Sequence, residues 1–208
     1  MKFKGFIIAG IGTEIGKTIA SSILVKALNF NYWKPVQSGN LEDSDTINVR
    51  KLVGQTEGEF FESSYNFINP LSPHTAAELE NRKIELKNFI LPESNRATIV
   101  ELAGGIMVPL NDSETNLDLI KKLNLPVVLV SRNYLGSINH TLLSYEILKR
   151  ENIQILGLII NGKENSSGEK FILNYTQLPI ILRINEEEEF NTEKIEEYAG
   201  KVERILFQ

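Results

Sequence analysis

One α/β domain, a mostly parallel sheet with helices on both faces, is the fold the sequence predicts, and three observations predict it. Apolar runs recur at Phe6 to Ala9, Tyr32 to Lys34, Thr98 to Leu102, Val127 to Ser131, Leu156 to Ile160 and Ile180 to Ile184. They are continuous rather than alternating, as in strands covered on both faces. Stretches of helical period separate most of them, and strand-helix alternation gives parallel crossovers. The third observation is the segment Gly10-Ile11-Gly12-Thr13-Glu14-Ile15-Gly16-Lys17-Thr18, a glycine loop between the first strand and the first helix. With 208 residues and 42% hydrophobic content, the chain is long enough for one core and is expected to be a single domain over 1–208. No run reaches the roughly 18 apolar residues of a membrane span.

Each element can be justified in chain order. Lys2 and Lys4 before an apolar run superficially resemble a leader peptide, but the run is needed as the strand that supports the glycine loop. It is read as a core strand of a cytoplasmic protein. Zero cysteines exclude disulfides and thiolate chemistry and are compatible with a reducing compartment. Ile19, Ile23, Leu24 and Leu28 share one face of the first helix. After the second strand, Ile47, Val49 and Leu52 mark another helix, for which Asp45 is a candidate cap. Residues 54–92 have weaker periodicity and are expected to include a lid or substrate loop. Leu117 with Ile120 to Leu123, and Ile138, Leu142, Tyr145 and Leu148, give two further helices. Glu186 to Glu189 reads as a solvated run before a last helix, capped by Asn191 or Thr192, with Ile195, Tyr198, Val202, Ile205 and Leu206 inward.

The glycine loop carries the chemistry. Backbone N–H groups, the positive end of the helix and the Lys17 ammonium converge on one polyphosphate, and the Thr18 hydroxyl is placed for magnesium. The chain is therefore read as a P-loop nucleoside triphosphatase-like protein that handles a nucleoside triphosphate. Its loop is a variant: the usual first glycine would fall at Ile11, and Gly10 stands one position further back. In a parallel sheet, ligands bind at the carboxyl ends of the strands, so the loops after Ala9, Lys34, Leu102, Ser131 and Ile160 should meet. Lys34, in Lys34-Pro35-Val36-Gln37-Ser38-Gly39, then directs a second ammonium at the phosphates. Glu101 ends a buried strand before Leu102-Ala103-Gly104-Gly105, as a magnesium ligand of the Walker B type does. His74 follows a proline at a helix start and is read as structural, while His140 is on a helix whose N-terminal amides at Gly136 to Ile138 are placed to receive a carboxylate. An excess of 27 acidic over 22 basic residues, with no basic cluster, argues against nucleic-acid partners.

Gly10-x-x-Thr13-Glu14-Ile15-Gly16-Lys17-Thr18, Lys34-Pro35-Val36-x-Ser38-Gly39, Ser44-Asp45, Ser72-Pro73-His74, Glu101-x-Ala103-Gly104-Gly105, Pro109-Leu110, Leu135-Gly136-Ser137-Ile138-Asn139-His140 and Asn161 occur in one order. Together they resemble the dethiobiotin synthetase family over residues 6–161. The resemblance implies ring closure of 7,8-diaminopelargonic acid with carbon dioxide and ATP, in biotin synthesis, with magnesium. It implies that Lys17 bridges phosphates and carbamate, that Lys34 stabilises the carbamate, and that Thr13 and Ser38 supply hydroxyls. Thr18, Asp45 and Glu101 would hold the metal, and Glu14, Ile15, Gly16, Ile19, Gly104, Asn161 and Gly162 would line the nucleotide site. It further implies a homodimer in which Gly136, Ser137, Ile138 and Asn139 of one subunit grip the carboxylate tail of substrate bound to the other.

The chain departs from that family at Ile11-Gly12, where Thr-Asp is usual, at Leu102, where glycine is usual, and at Gly162, where Asp follows Asn161. Leu102 is expected to put bulk where backbone approaches ligand. The base-binding loop has no clear counterpart near Ile184-Asn185-Glu186, so weaker discrimination among nucleotides is expected. The alternative is a ParA/MinD-type switch ATPase, whose extra loop lysine is missing from residues 10–15. A cobyrinic acid amidating enzyme would need an amide-nitrogen source and a cysteine-bearing domain. A nucleotide-binding domain without catalysis is argued against by Lys17, Thr18, Lys34, Asp45 and Glu101 together.

Overall fold

A computed structural model describes residues 4–202. The chain begins with β1 (Gly5–Gly10), α1 (Lys17–Leu28), β2 (Asn31–Trp33), β3 (Val36–Ser38), α2 (Asp45–Val53), β4 (Phe60–Phe61), β5 (Tyr65–Phe67) and α3 (Pro73–Leu79). It continues with β6 (Thr98–Gly105), α4 (Asn116–Leu123), β7 (Val127–Arg132), α5 (Ser137–Arg150), β8 (Ile155–Asn161), α6 (Ser166–Thr176), β9 (Ile180–Ile184) and α7 (Thr192–Ala199).

Seven strands form one parallel sheet in the order β4-β2-β6-β1-β7-β8-β9. β1 lies centrally because it is apolar throughout and all six of its residues are buried. Its side chains divide between two cores: Phe6 and Ile8 pack with residues of α1, α2 and α7, whereas Ile7 and Ala9 pack with residues of α3, α4, α5 and α6. This alternation places helices on both faces of the sheet.

Residues 54–92 are not one open loop. They hold β4, β5 and α3, and β5 pairs with β3 in a second, two-stranded parallel sheet. Weak periodicity there reflects elements of two to seven residues, too short to show a period. α2 is capped by Ser44, whose side chain accepts from Ile47 N–H, and not by Asp45. The first helical residue, Asp45, is thereby left with its carboxylate free to turn toward the sheet. Asn191 caps α7, accepting from Lys194 N–H. Ile195, Tyr198 and Val202 are buried as expected, and Ile205 and Leu206 lie outside the described residues.

Candidate active site

At the carboxyl edge of the sheet, the strand ends and following loops enclose a cleft of about 990 Å³. The five strand ends anticipated from the sequence all reach it, through Thr13, Glu14 and Gly16 to Ile19, Lys34 and Ser38, Ala103 and Gly104, Arg132, and Asn161 with Gly162. A sixth contribution follows β9: Asn185, Glu186, Glu187 and Phe190 also line the cleft. The acidic run is thus partly a cleft wall, and Glu187 accepts from the Tyr198 hydroxyl at 2.5 Å. Its four consecutive acids look solvated in sequence because nothing local shows the fold-back that Tyr198 enforces.

The glycine loop is shaped by its glycines. Gly16 has φ +91°, and a Cβ there would lie 2.2 Å from Asn161 Nδ2. Asn161 Nδ2 donates to Ile15 O at 2.9 Å, so the end of β8 holds the loop from behind. Ile15 itself is buried in the core and is not among the residues that line the cleft. Gly12 has open space around it. Lys17 Nζ donates back to Gly12 O at 2.9 Å, curling over the loop where a phosphate would be received.

Beneath Lys17 lies a compact charged cluster. Glu101, fully buried at the middle of β6, accepts at Oε1 from Thr18 Oγ1 (3.2 Å) and Lys34 Nζ (3.1 Å). Its other oxygen, Oε2, accepts from Ser21 Oγ (2.7 Å) and Tyr32 OH (3.0 Å). Asp45 accepts from Thr18 Oγ1 at 2.7 Å and pairs with Lys34. Gln37 fixes the start of α2, its Oε1 accepting from Asp45 N–H at 3.2 Å while its Nε2 donates to Gly39 O at 3.0 Å. Burial pulls the Lys34 pKa down, but Glu101 and Asp45 together hold it above the ordinary lysine value. Burial likewise raises Asp45, and the Lys34 ammonium more than offsets it, leaving the carboxyl below its usual range.

Thr18, Asp45 and Glu101 form a set of hard oxygen donors, two carboxylates and a hydroxyl, all within the cleft. No group of three or more His, Cys, Asp or Glu suited to a metal occurs among the described residues. Such a donor set suits magnesium, which keeps several waters and takes the rest of its shell from substrate phosphates. Ser38 Oγ is buried with no hydrogen-bond partner and belongs to the cleft lining, as a hydroxyl reserved for a ligand would be.

Burial pushes the Lys17 ammonium down to about 8, with Glu101 working against that and Lys34 adding to it. Below pH 8 the folded protein holds a charged, desolvated ammonium; above it the proton is lost while the unfolded chain keeps its own up to about 10.5. This group therefore costs stability at low pH, a cost relieved as pH rises from about 8 to 10.5. A bound triphosphate favours the charged form, so nucleotide binding at pH 8 to 9 is expected to take up part of a proton. Calorimetry in buffers of different ionisation enthalpy should show uptake rising from pH 7 to 9, with affinity falling by up to about tenfold per pH unit above 8. Uptake that does not change over that range would refute the assignment.

Other expectations fare differently. Leu102 does not crowd the cleft: its side chain is buried in the core on the α3–α6 side of the sheet, since alternation along β6 turns it away from Glu101. His74 contacts Ser72 Oγ (3.1 Å) and Thr75 Oγ1 (3.2 Å) and is not among the lining residues, whereas Ser72 and Pro73 are. Gly136, Ser137, Ile138 and Asn139 are not brought to the cleft within one chain. Gly136 (φ +102°) precedes α5, Ser137 is buried, and Gly136, Ile138 and Asn139 line a separate shallow depression with Lys163 and Asn165. His140 bonds Tyr134 OH at 2.8 Å on that outer surface.

Sequence reasoning missed Arg132, which donates to Glu14 O at 3.2 Å and faces Glu186 Oε1 at 3.8 Å. Its one signal was its place at the end of the fourth inner strand, where the rule of carboxyl ends already pointed. Tyr32 was missed because a tyrosine inside an apolar run reads as core.

A parallel α/β sheet with a glycine loop, two buried lysines and two carboxylates at its carboxyl edge defines the class: a P-loop protein built to receive a nucleoside triphosphate. Structural neighbours agree on the fold. A ParA family ATPase from Chlorobium tepidum superposes with TM-score 0.58 over 96% of this chain and 100% of that one, at 12% identity. The septum site-determining protein MinD from Pyrococcus horikoshii, complexed with Mg-ADP, gives 0.58 over 97% of each chain at 13% identity. Sequence comparison is more specific. A family described as an AAA domain matches residues 4–194. The ATP-dependent dethiobiotin synthetase of Christiangramia forsetii is 46% identical over 98% of each chain, and that of Cytophaga hutchinsonii 42% identical over 96% and 97%. The corresponding protein of Chlamydia felis is 39% identical over 93% of this chain and 91% of its own. This chain belongs to the ATP-dependent dethiobiotin synthetase family. The likeness to ParA and MinD is one of fold alone.

Proposed function

We propose that this protein is an ATP-dependent cyclo-ligase that closes the ureido ring of dethiobiotin from 7,8-diaminopelargonic acid, carbon dioxide and ATP, in the cytoplasm. The observation that carries the reading is the meeting of Lys17, Lys34, Thr18, Asp45 and Glu101 in one cleft, in a chain whose relatives bear that name.

The chemistry matches what these residues supply. One substrate amine adds to carbon dioxide and loses a proton, giving a carbamate. A carbamate oxygen attacks the γ-phosphorus and ADP leaves. The second amine then attacks the carbamoyl carbon, loses a proton, and expels phosphate as the ring closes. Each step concentrates negative charge on oxygen, so the protein contributes placed cations and donors rather than a nucleophile. Lys17 swings from Gly12 O onto the phosphates and the carbamate, and Lys34 stabilises the carbamate and the transferring group. Thr13 and the unpaired Ser38 hydroxyl orient the carbamate and its amine. Glu14, Gly16, Ile19 and Gly104 line the nucleotide, while Ile15 anchors the loop through its carbonyl, which accepts from Asn161. Asn161 and Gly162 stand at the base end, with the Asn161 amide nitrogen already committed to Ile15 O.

Thr18, Asp45 and Glu101 would hold magnesium, whose charge draws electron density from the phosphoryl oxygens when it is bound. A homodimer brings Gly136, Ser137, Ile138 and Asn139 of one subunit to substrate on the other, and the exposed Leu135 beside them supplies an apolar surface for that contact.

Incubation with diaminopelargonic acid, bicarbonate, magnesium and ATP is expected to yield dethiobiotin by mass and substrate-dependent ADP. Absence of both sinks the assignment. Repeating the assay with GTP and CTP tests the expectation of weak nucleotide discrimination, which a large preference for ATP would defeat.

A further inference from the structure

Glu101 is a fully buried carboxylate whose two oxygens have separate tasks. Oε1 faces Thr18 and Lys34, the side on which nucleotide and metal are received. Oε2 faces away, and the two groups that meet it, Ser21 Oγ at 2.7 Å and Tyr32 OH at 3.0 Å, are themselves completely buried. Neither hydroxyl belongs to the cleft lining, so neither touches ligand.

We propose that Tyr32, together with Ser21, is a positioning residue for the metal site: the two hydroxyls clamp Glu101 Oε2, so that Oε1 is presented to the ion in a fixed orientation. Three independent elements meet in the clamp. β2 lies beside β6 with Tyr32 opposite Ile99, which sets the phenol alongside the strand that carries Glu101. The Tyr32 ring is held by Phe60 of β4, at 6.2 Å between centroids, so the hydroxyl has little freedom to wander. Ser21 comes from α1, one turn beyond Thr18, and ties the same carboxylate to the helix that begins in the phosphate loop. A buried carboxylate supported on one oxygen only would be free to rotate about its terminal bond and share both oxygens with Lys34. Two donors on Oε2 remove that freedom. Outer partners that orient a metal-ligating carboxylate typically carry 10–100-fold of metal affinity.

The inference rests on Glu101 being a magnesium ligand, and the test separates the two. Tyr32→Phe removes one oxygen and keeps the ring against Phe60; Ser21→Ala removes the other donor from a helix that favours alanine. Mn²⁺ is titrated by electron paramagnetic resonance into the full-length protein saturated with ATP, and nucleotide binding is measured in EDTA. Each variant is expected to weaken Mn²⁺ binding by about tenfold or more, with metal-free nucleotide affinity and melting behaviour near wild type. Glu101→Gln is expected to weaken Mn²⁺ more than either. If Glu101→Gln does so while Tyr32→Phe and Ser21→Ala bind Mn²⁺ as the wild type does, the clamp is refuted and the metal ligand stands. If Glu101→Gln leaves Mn²⁺ binding unchanged, both are refuted. If the variants lose metal and metal-free nucleotide affinity equally, the hydroxyls serve the fold and the clamp is again refuted.

Discussion

Replacing Lys34 by alanine is expected to lower turnover by about two to three orders of magnitude while ATP still binds, because a preorganised cation aimed at developing charge is removed from a buried site. The structure adds a second consequence. Lys34 Nζ stands between Asp45 and Glu101, and Glu101 has no access to water. Without the ammonium, two carboxylates that both touch Thr18 Oγ1 face one another uncompensated. Breaking a buried ion pair by removing one partner costs about 3–5 kcal/mol, and the partial exposure of Asp45 brings the expected loss to the lower end of that range. In the proposed site magnesium would supply a replacement charge at the same oxygens, so the loss in melting temperature should shrink when Mg²⁺ is added. Thermal melts with and without Mg²⁺, beside steady-state kinetics and ATP binding, check this. Equal loss of ATP binding and turnover would show that Lys34 holds nucleotide rather than the reacting group.

Gly16→Ala is expected to damage nucleotide binding itself, for reasons of backbone alone. Gly16 precedes α1 in the left-handed region (φ +91°), which costs a residue with a side chain about 1–3 kcal/mol. The added methyl would also fall 2.2 Å from Asn161 Nδ2, inside any permissible contact. Relief requires Asn161 to abandon Ile15 O or the loop to withdraw from β8, and either moves the amides that meet phosphate. A loss in ATP affinity of roughly one to two orders of magnitude follows from strain of that size. Adding Asn161→Ala to Gly16→Ala should recover part of the loss, since it removes the clash but not the strain. Wild-type ATP affinity in Gly16→Ala would mean that the loop does not bind phosphate in this conformation.

Both variants act on residues whose importance the sequence displayed, and the reason is local. A glycine before Lys17-Thr18, after an apolar strand, has one well-understood use; Lys34 closes an apolar run, and Glu101 is a lone acid within one, although β6 runs on past it to Gly105 rather than ending there as expected. Asp45 was legible both as a candidate cap and as a site carboxylate, and the capping alternative fails: Ser44 and Asp45 are both good capping residues, and only the hydrogen bond to Ile47 chooses between them. Leu102 was misjudged because its place in a motif says nothing about which side of β6 it faces. The wall formed by Glu186 and Glu187 was hidden for a related reason: a run of acids reveals its charge, not the direction of its turn.

By itself the sequence determined the parallel sheet, the phosphate cradle and the order in which the charged strand ends appear. These follow from burial patterns and turn chemistry spanning ten or so residues, and each element states its own case. Only the tertiary structure decided who partners whom. Glu101 meets Tyr32 across 69 residues and Ser21 across 80, and Asn161 meets Ile15 across 146. Such pairings depend on the register of β2 against β6, on how α1 lies over the sheet, and on where β8 ends beside the loop. Those are sums over many packed side chains, and no stretch of the chain contains them.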